Sequence, residues 1–173
     1  SSLKAISIPT SVNVIGPNAF ASCSSLVSIA IPSTVSTISD FAFYSCSALS
    51  SISIPTSVFS ISQGCFQSCT SLTSVTIPTS VLTINLAAFY SCTSLTSVTI
   101  PTSVKTINSV AFVLCSSLKS ISIPASVTAI GPYAFAECTS LNCVVIAGSP
   151  IKDNTVFTNA PLGGCPTAAP SKK

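Results

Sequence analysis

The stretch SCTSLTSVTIPTSV occupies Ser68 to Val81 and recurs letter for letter at Ser91 to Val104, 23 positions later. Core positions in an ordinary globule need only be apolar and of about the right size, so drift between copies is normally tolerated. Identity at this distance points to a chain built by stacking one unit on its own copy. The interval holds along most of the sequence. Cysteine falls at Cys23, Cys46, Cys69, Cys92, Cys115 and Cys138, and proline at Pro9, Pro32, Pro55, Pro78, Pro101 and Pro124. Phenylalanine keeps the same beat from Phe20 to Phe135, and leucine from Leu3 to Leu141. Such a period is the signature of a solenoid.

Each unit reads as a short circuit of the chain. Before every proline, Ser-[Ile/Val]-[Ser/Thr]-Ile alternates polar and apolar residues, the period of a strand with one buried face. In the first unit this predicts Ile6 and Ile8 inward, Ala5 and Ser7 outward. Proline removes a backbone donor where that strand must end. A second extended piece is expected around Val12 and Ile15. The Ala-Phe-x-x-Cys segment, with apolar spacings near three and four, suits a single helical or 3₁₀ turn that drops Phe and Cys inward. One coil cannot bury its apolar residues alone, so neighbours on both sides must cover it.

The repeated unit resembles the BspA-like leucine-rich repeat, whose pattern L-x-x-I-x-I-P-x-S-[VL]-x-x-I-x-x-x-A-F-x-x-C is matched at Leu26 to Cys46 and in the neighbouring copies. The resemblance covers residues 1–146 as six or more repeats and implies a β-solenoid of 23-residue coils. Where the general leucine-rich pattern places an Asn ladder, this chain has Ser11, Thr34, Ser57, Ser80, Ser103 and Ser126. A hydroxyl ladder is expected in its place. The resemblance implies adhesion and protein binding at the surface of microbes or protists, with an extracellular or cell-surface location and no catalytic site.

After Ile146 the beat breaks. Residues 147–165 read as a degenerate coil that caps the stack, with Phe157, Ala160 and Leu162 as a shortened echo of the unit and Lys152, Asp153 and Asn154 toward solvent. Residues 166–173, small and Pro-containing, read as a flexible tail. The start, SSLKAISIP, falls in mid-repeat, which leaves open earlier coils or another molecule on that face.

Composition narrows the function. Hydrophobic residues make up 47% and charged residues 5%; Ser and Thr dominate the rest, and His, Met and Trp are absent. A net charge of +3 from six Lys provides no patch able to neutralise many phosphates, which argues against nucleic acid. Every apolar run is interrupted by Ser, Thr or Pro far short of a spanning helix. A serine or cysteine nucleophile needs a base, and with no histidine and only Asp40, Glu137 and Asp153 as carboxylates no triad assembles. No phosphate loop or metal-ligand spacing occurs, so no cofactor and no enzymatic activity are expected.

The six in-phase cysteines are expected to stack as small buried hydrophobes, with Cys65 as a larger filler at an Ala position. Cys143 replaces an outward Ser and Cys165 closes the cap, so a Cys143–Cys165 disulfide stapling the cap is expected, with an oxidising compartment. Tyr44, Tyr90 and Tyr133 are expected as partly exposed aromatics.

What remains is surface. Outward strand positions form two hydroxyl-rich rows: Ser28, Ser51, Ser74, Ser97 and Ser120 in one, Ser53, Thr76, Thr99 and Ser122 in the other, with Ala5, Ser7 and Ala30 at their start. They read as a solvated face of small residues, as a surface for a protein or glycan on the concave side, or as an array resembling those of ice-binding solenoids. The leading expectation is a structural or adhesive interaction protein, which end-to-end stacking would extend into a homopolymeric fibre. The alternative is a receptor or effector ectodomain that recognises one ligand on its concave face.

Overall fold

A computed structural model describes residues 4–148 and 153–162. The repeat boundaries divide the chain into coil 1 (to residue 25), coil 2 (26–48), coil 3 (49–71), coil 4 (72–94), coil 5 (95–117) and coil 6 (118–140). Each coil opens with a short strand: β1 (Ala5–Ser7), β3 (Ser28–Ala30), β5 (Ser51–Ser53), β7 (Ser74–Thr76), β9 (Ser97–Thr99) and β11 (Ser120–Ile123), followed by β13 (Cys143–Ile146). These pair in parallel, β1 with β3 and β5 through β13 in one five-stranded sheet. A partner always lies 23 residues away, as in Ile52 with Val75 and Val75 with Val98.

The second extended piece is shorter than expected and begins later. It consists of β2 (Val14–Ile15), β4 (Thr37–Ile38), β6 (Ser60–Ile61), β8 (Thr83–Ile84), β10 (Thr106–Ile107) and β12 (Ala129–Ile130). Val12 precedes the strand. Its amide closes a turn onto the Pro9 carbonyl, and Val35, Val58, Val81, Val104 and Val127 do the same to their prolines. The Pro-x-[Ser/Thr]-Val segment is therefore a corner, and its valine points into the core.

The expected helical or 3₁₀ turn does not form. From Gly16 to Leu26 the backbone is a chain of turns in which alternate amides face different ways. Ala19, Ala21 and Cys23 bond three residues back, whereas Asn18, Phe20 and Ser22 bond Asp40, Ala42 and Tyr44 of the next coil. A helix would direct every N–H along its own axis and leave the stack without this third ladder. The alternation needs left-handed residues, and two occur per coil, for instance Asn18 (φ 56°) and Ser22 (φ 58°), or Ala87 (φ 54°) and Ser91 (φ 59°). Both strand ladders lapse between coils 2 and 3, where β3–β5 and β4–β6 do not pair. The turn ladder crosses that junction through Phe41 to Gln63, Phe43 to Cys65 and Ser45 to Gln67.

The core is a set of columns. Phe20, Phe43, Phe66, Phe89, Phe112, Phe135 and Phe157 stack face to face with centroids 5.1–5.5 Å apart. Leu, Val, Ile and Ala columns fill the remainder. Ile6 departs from the expected pattern: it is 37% exposed, because no described coil lies below it.

Candidate functional site: the hydroxyl face

The three-residue strands position the predicted surface. Their middle residues are buried and their flanking residues exposed, because side chains alternate across the pleat. Parallel pairing without slippage places Ser51, Ser74, Ser97 and Ser120 in one column and Ser53, Thr76 and Thr99 in the next. Ser28 aligns with Ala5 in the separate pair β1–β3, so sheet hydrogen bonds do not join it to Ser51. At the other end Ser120 is followed by Cys143 and Ser122 by Val145. The hydroxyl rows thus give way to a cysteine and a half-exposed aliphatic side chain.

What distinguishes these hydroxyls is what their neighbours do. In the column just before the strands, Ser50, Thr73 and Thr96 each donate to the carbonyl one coil below, at Val27, Ser50 and Thr73. At the corner, Thr34, Ser57, Ser80 and Ser103 donate to Val12, Val35, Val58 and Val81 at 2.5–3.0 Å. The expected hydroxyl ladder is therefore present, although Ser126 makes no such bond. By contrast, Ser51, Ser53, Ser74, Thr76, Ser97, Thr99, Ser120 and Ser122 donate to no other described group, and their hydroxyls face outward. Lys4 and Lys119 stand in the flanking column, and no charge interrupts the two rows.

A second polar ladder lies at the end of the short strands. Ser62 donates to Ile38, Asn85 donates to Ile61, and the Asn108 amide donates to the Asn85 side-chain oxygen. In the same column Gly131 sits so close to the Ser109 backbone that any β-carbon would clash at 2.4 Å. The short-range sequence signal for this ladder is two asparagines 23 apart.

The thiols form an internal column. Cys46, Cys69, Cys92, Cys115 and Cys138 are buried, and each Sγ donates to the carbonyl of the phenylalanine at the foot of the preceding coil. Burial is the main cause that pushes the Cys46 thiol up to about 11 and that of Cys138 up to about 12. Burial likewise drives Cys65, Cys69, Cys92 and Cys115 well above the ordinary thiol value. Cys23 is half-buried. Cys143, at the half-buried start of β13, is not among the free thiols. Cys165 and residues 166–173 lie outside the described residues.

Carboxylates do not converge. Asp40 accepts from the Gln63 amide, and Glu137 accepts from the Asn159 side chain. They are four coils apart, about 19 Å at the spacing of neighbouring strands. The hydroxyl and amide of Thr155 hold the partly exposed Asp153 below the usual carboxylate value. Among the described residues no cluster could hold a metal ion, and no helix is long and apolar enough to cross a membrane. Tyr44 and Tyr90 are half-buried and Tyr133 is exposed. Composition by itself hid one feature: Phe59, Leu82 and Leu86 are exposed, and aligning the coils by column shows them as departures from polar positions.

A parallel solenoid with a repeated exposed strand face and no converging chemistry suggests a module for protein interaction. The model of the BspA type leucine rich repeat region matches six copies over residues 1–113 and 60–162, and the chain belongs to that family. A leucine-rich repeat protein of T. pallidum is 34% identical, with a TM-score of 0.67 over 68% of this chain and 57% of its own. One from Bacteroides ovatus is 32% identical, with a TM-score of 0.66 over 82% of this chain and 45% of its own. One from Eubacterium ventriosum is 29% identical, with a TM-score of 0.58 over 88% and 46%. The chain thus spans about half the length of these solved relatives. No curated protein matches it significantly.

Proposed function

We propose that the chain is a non-enzymatic, extracellular or surface-exposed solenoid with an adhesive role, which meets a protein or glycan through the hydroxyl rows. The observation that carries this reading is the contrast between hydroxyls that bond their own backbone and those of the exposed strands, which are left for a partner. Replacing Ser74, Thr76, Ser97 and Thr99 with Lys tests it. Beads coated with the variant should lose adhesion to a cultured cell layer and lose retention on a glycan array. Unchanged behaviour in both would rule out this face. If a single glycan or protein is retained, the chain is a recognition module rather than a general adhesin.

In this reading residues 147–165 cap the stack and a Cys143–Cys165 disulfide staples them. Burial of Val156 and the stacking of Phe157 on Phe135 support the cap. Peptide mapping without reduction should recover Cys143 linked to Cys165. End-to-end assembly is a second reading, supported by the near-identical coils, whose paired strands keep a 23-residue register. Electron microscopy of natively isolated protein distinguishes long fibres from short separate particles.

A further inference from the structure

One junction of the stack is built differently from its neighbours. Between coils 3 and 4 both strand ladders run through, the Leu82 amide donates to the Phe59 carbonyl, and the Asn85 amide donates to that of Ile61. The junctions on either side repeat these bonds, from Ser36 to Asn13 and Ser39 to Ile15 below, and from Lys105 to Leu82 and Asn108 to Ile84 above. Between coils 2 and 3 neither strand ladder forms, and the corresponding bonds from the Phe59 amide to Ser36 and from the Ser62 amide to Ile38 are not made. Side chains stand in for them. The Ser62 hydroxyl donates to the Ile38 carbonyl, and Oδ1 of Asp40 accepts from the Gln63 amide. Beside the long strands, the Ser50 amide and hydroxyl share one acceptor, the Val27 carbonyl.

The turn side of the same junction is firmly fastened. The amides of Phe41, Phe43 and Ser45 donate to Gln63, Cys65 and Gln67 at 2.8–2.9 Å. Sγ of Cys69 donates to the Phe43 carbonyl, and the rings of Phe43 and Phe66 stack at 5.5 Å. Two features found only at this level add packing there. The Phe41 ring fills the space that a β-carbon on Gly64 would need, 2.3 Å away, and Cys65 is buried in a column that otherwise holds alanine. Local opening begins where backbone bonds are few, and a fastened edge beside a loose one sets the axis about which it turns.

We infer that the solenoid hinges between coils 2 and 3. The turn ladder from Phe41 to Ser45 is the spine, and the strand sides part first, so that coils 1 and 2 swing against coils 3 to 6. The seam crosses the hydroxyl face between Ser28 and Ser51, where the sheet is already divided. Opening therefore changes the curvature of that face at one level and leaves the rows from Ser51 to Ser120 intact. A partner that touches both sides of the seam would favour the closed form. The hinge itself does not depend on which partner the rows meet.

Amide hydrogen exchange, followed by NMR on the full 1–173 chain and referred to unfolded-chain rates, tests the hinge. Ser50 should exchange at least about tenfold faster than Thr73 and Thr96, whose amides make the same bond at the next two junctions. Phe41, Phe43 and Ser45 should stay as slow as Gly64, Phe66 and Ser68, their counterparts one coil further on. Ser62→Ala, which removes a link across the seam, should speed Ser50 further and leave Thr73 unchanged. Asn85→Ala, which removes the side-chain link to Ile61 at the next junction, should leave Ser50 as it was. Ser50 as slow as Thr73 and Thr96 would overturn the inference. So would Phe43 exchanging together with Ser50, since the coils then separate without a spine. A Ser50 rate indifferent to Ser62→Ala, or raised equally by Asn85→Ala, would overturn it as well, because the strand sides would not open together at this level.

Discussion

The thiol of Cys92 donates to the backbone carbonyl of Phe66 across 3.1 Å, one coil below, and both side chains are buried. The same bond recurs from Cys46 to Cys138, so the cysteine column fastens the phenylalanine column from inside. A thiol fits because its weak S–H satisfies a carbonyl while its bulk behaves as a small hydrophobe.

Accessibility of the thiols follows from their place in the column. Iodoacetamide applied to the native protein should modify Cys23 before the buried Cys46, Cys69, Cys92, Cys115 and Cys138. Peptide mass spectrometry reads the order, and rapid modification of Cys92 would show that the stack opens readily.

Stability should fall in alkali. The folded thiols titrate above the ordinary value of 9.0, at about 11 for Cys46 and about 12 for Cys138. Between pH 9 and those values the unfolded chain loses protons that the folded chain keeps, so unfolding gains with pH. The stabilisation is complete below pH 9 and is lost as pH rises through the folded values. Thermal melts from pH 7 to pH 11 should show the decline, and replacing the five buried cysteines with Ala should flatten it.

The corner hydroxyls give a paired comparison. Ser103 donates to Val81 at 2.7 Å, whereas Ser126, at the same corner of the sixth coil, has no partner. Ser103→Ala should cost about 1 kcal/mol, and Ser126→Ala should be neutral or slightly stabilising. Urea denaturation of the two variants measures the difference; equal losses would show that the ladder contributes nothing.

Backbone strain is concentrated at Val110, a β-branched residue at φ 52°. Left-handed geometry costs an ordinary residue about 1–2 kcal/mol, and Asn tolerates it better. Val110→Asn should raise the urea midpoint, with a gain of up to about 1 kcal/mol in stability; an unchanged or lower midpoint would show that the packing of the half-buried valine outweighs the strain.

Truncating the aromatic column tests the stack itself. Phe89 is fully buried between Phe66 and Phe112 at 5.4 and 5.1 Å. Phe89→Ala should cost about 3–5 kcal/mol. Phe20→Ala, at the half-buried end of the column, should cost clearly less in the same denaturation experiment.

The 23-residue beat of Pro, Phe and Cys determined the solenoid, the inward residues and the two exposed rows from the sequence alone. A residue in a stack meets its own copy above and below, so spacing in sequence becomes neighbourhood in space without further information. The turn geometry was not legible in this way. Ala-Phe-x-x-Cys has the apolar spacing of a helical turn, and local pattern carries no record of which amides must reach the next coil. Only the tertiary stack decided that alternate N–H groups point along the solenoid axis, which requires left-handed residues as unlike as Asn18, Ala87 and Val110. It likewise decided that the hydroxyls of Ser50 and Ser80 are spent on the coil below while those of Ser74 and Ser97 remain for solvent or a partner. The physical reason is distance: a carbonyl one coil below lies within reach at the edges and corners of the strands, and the pleat turns the strand hydroxyls away from it.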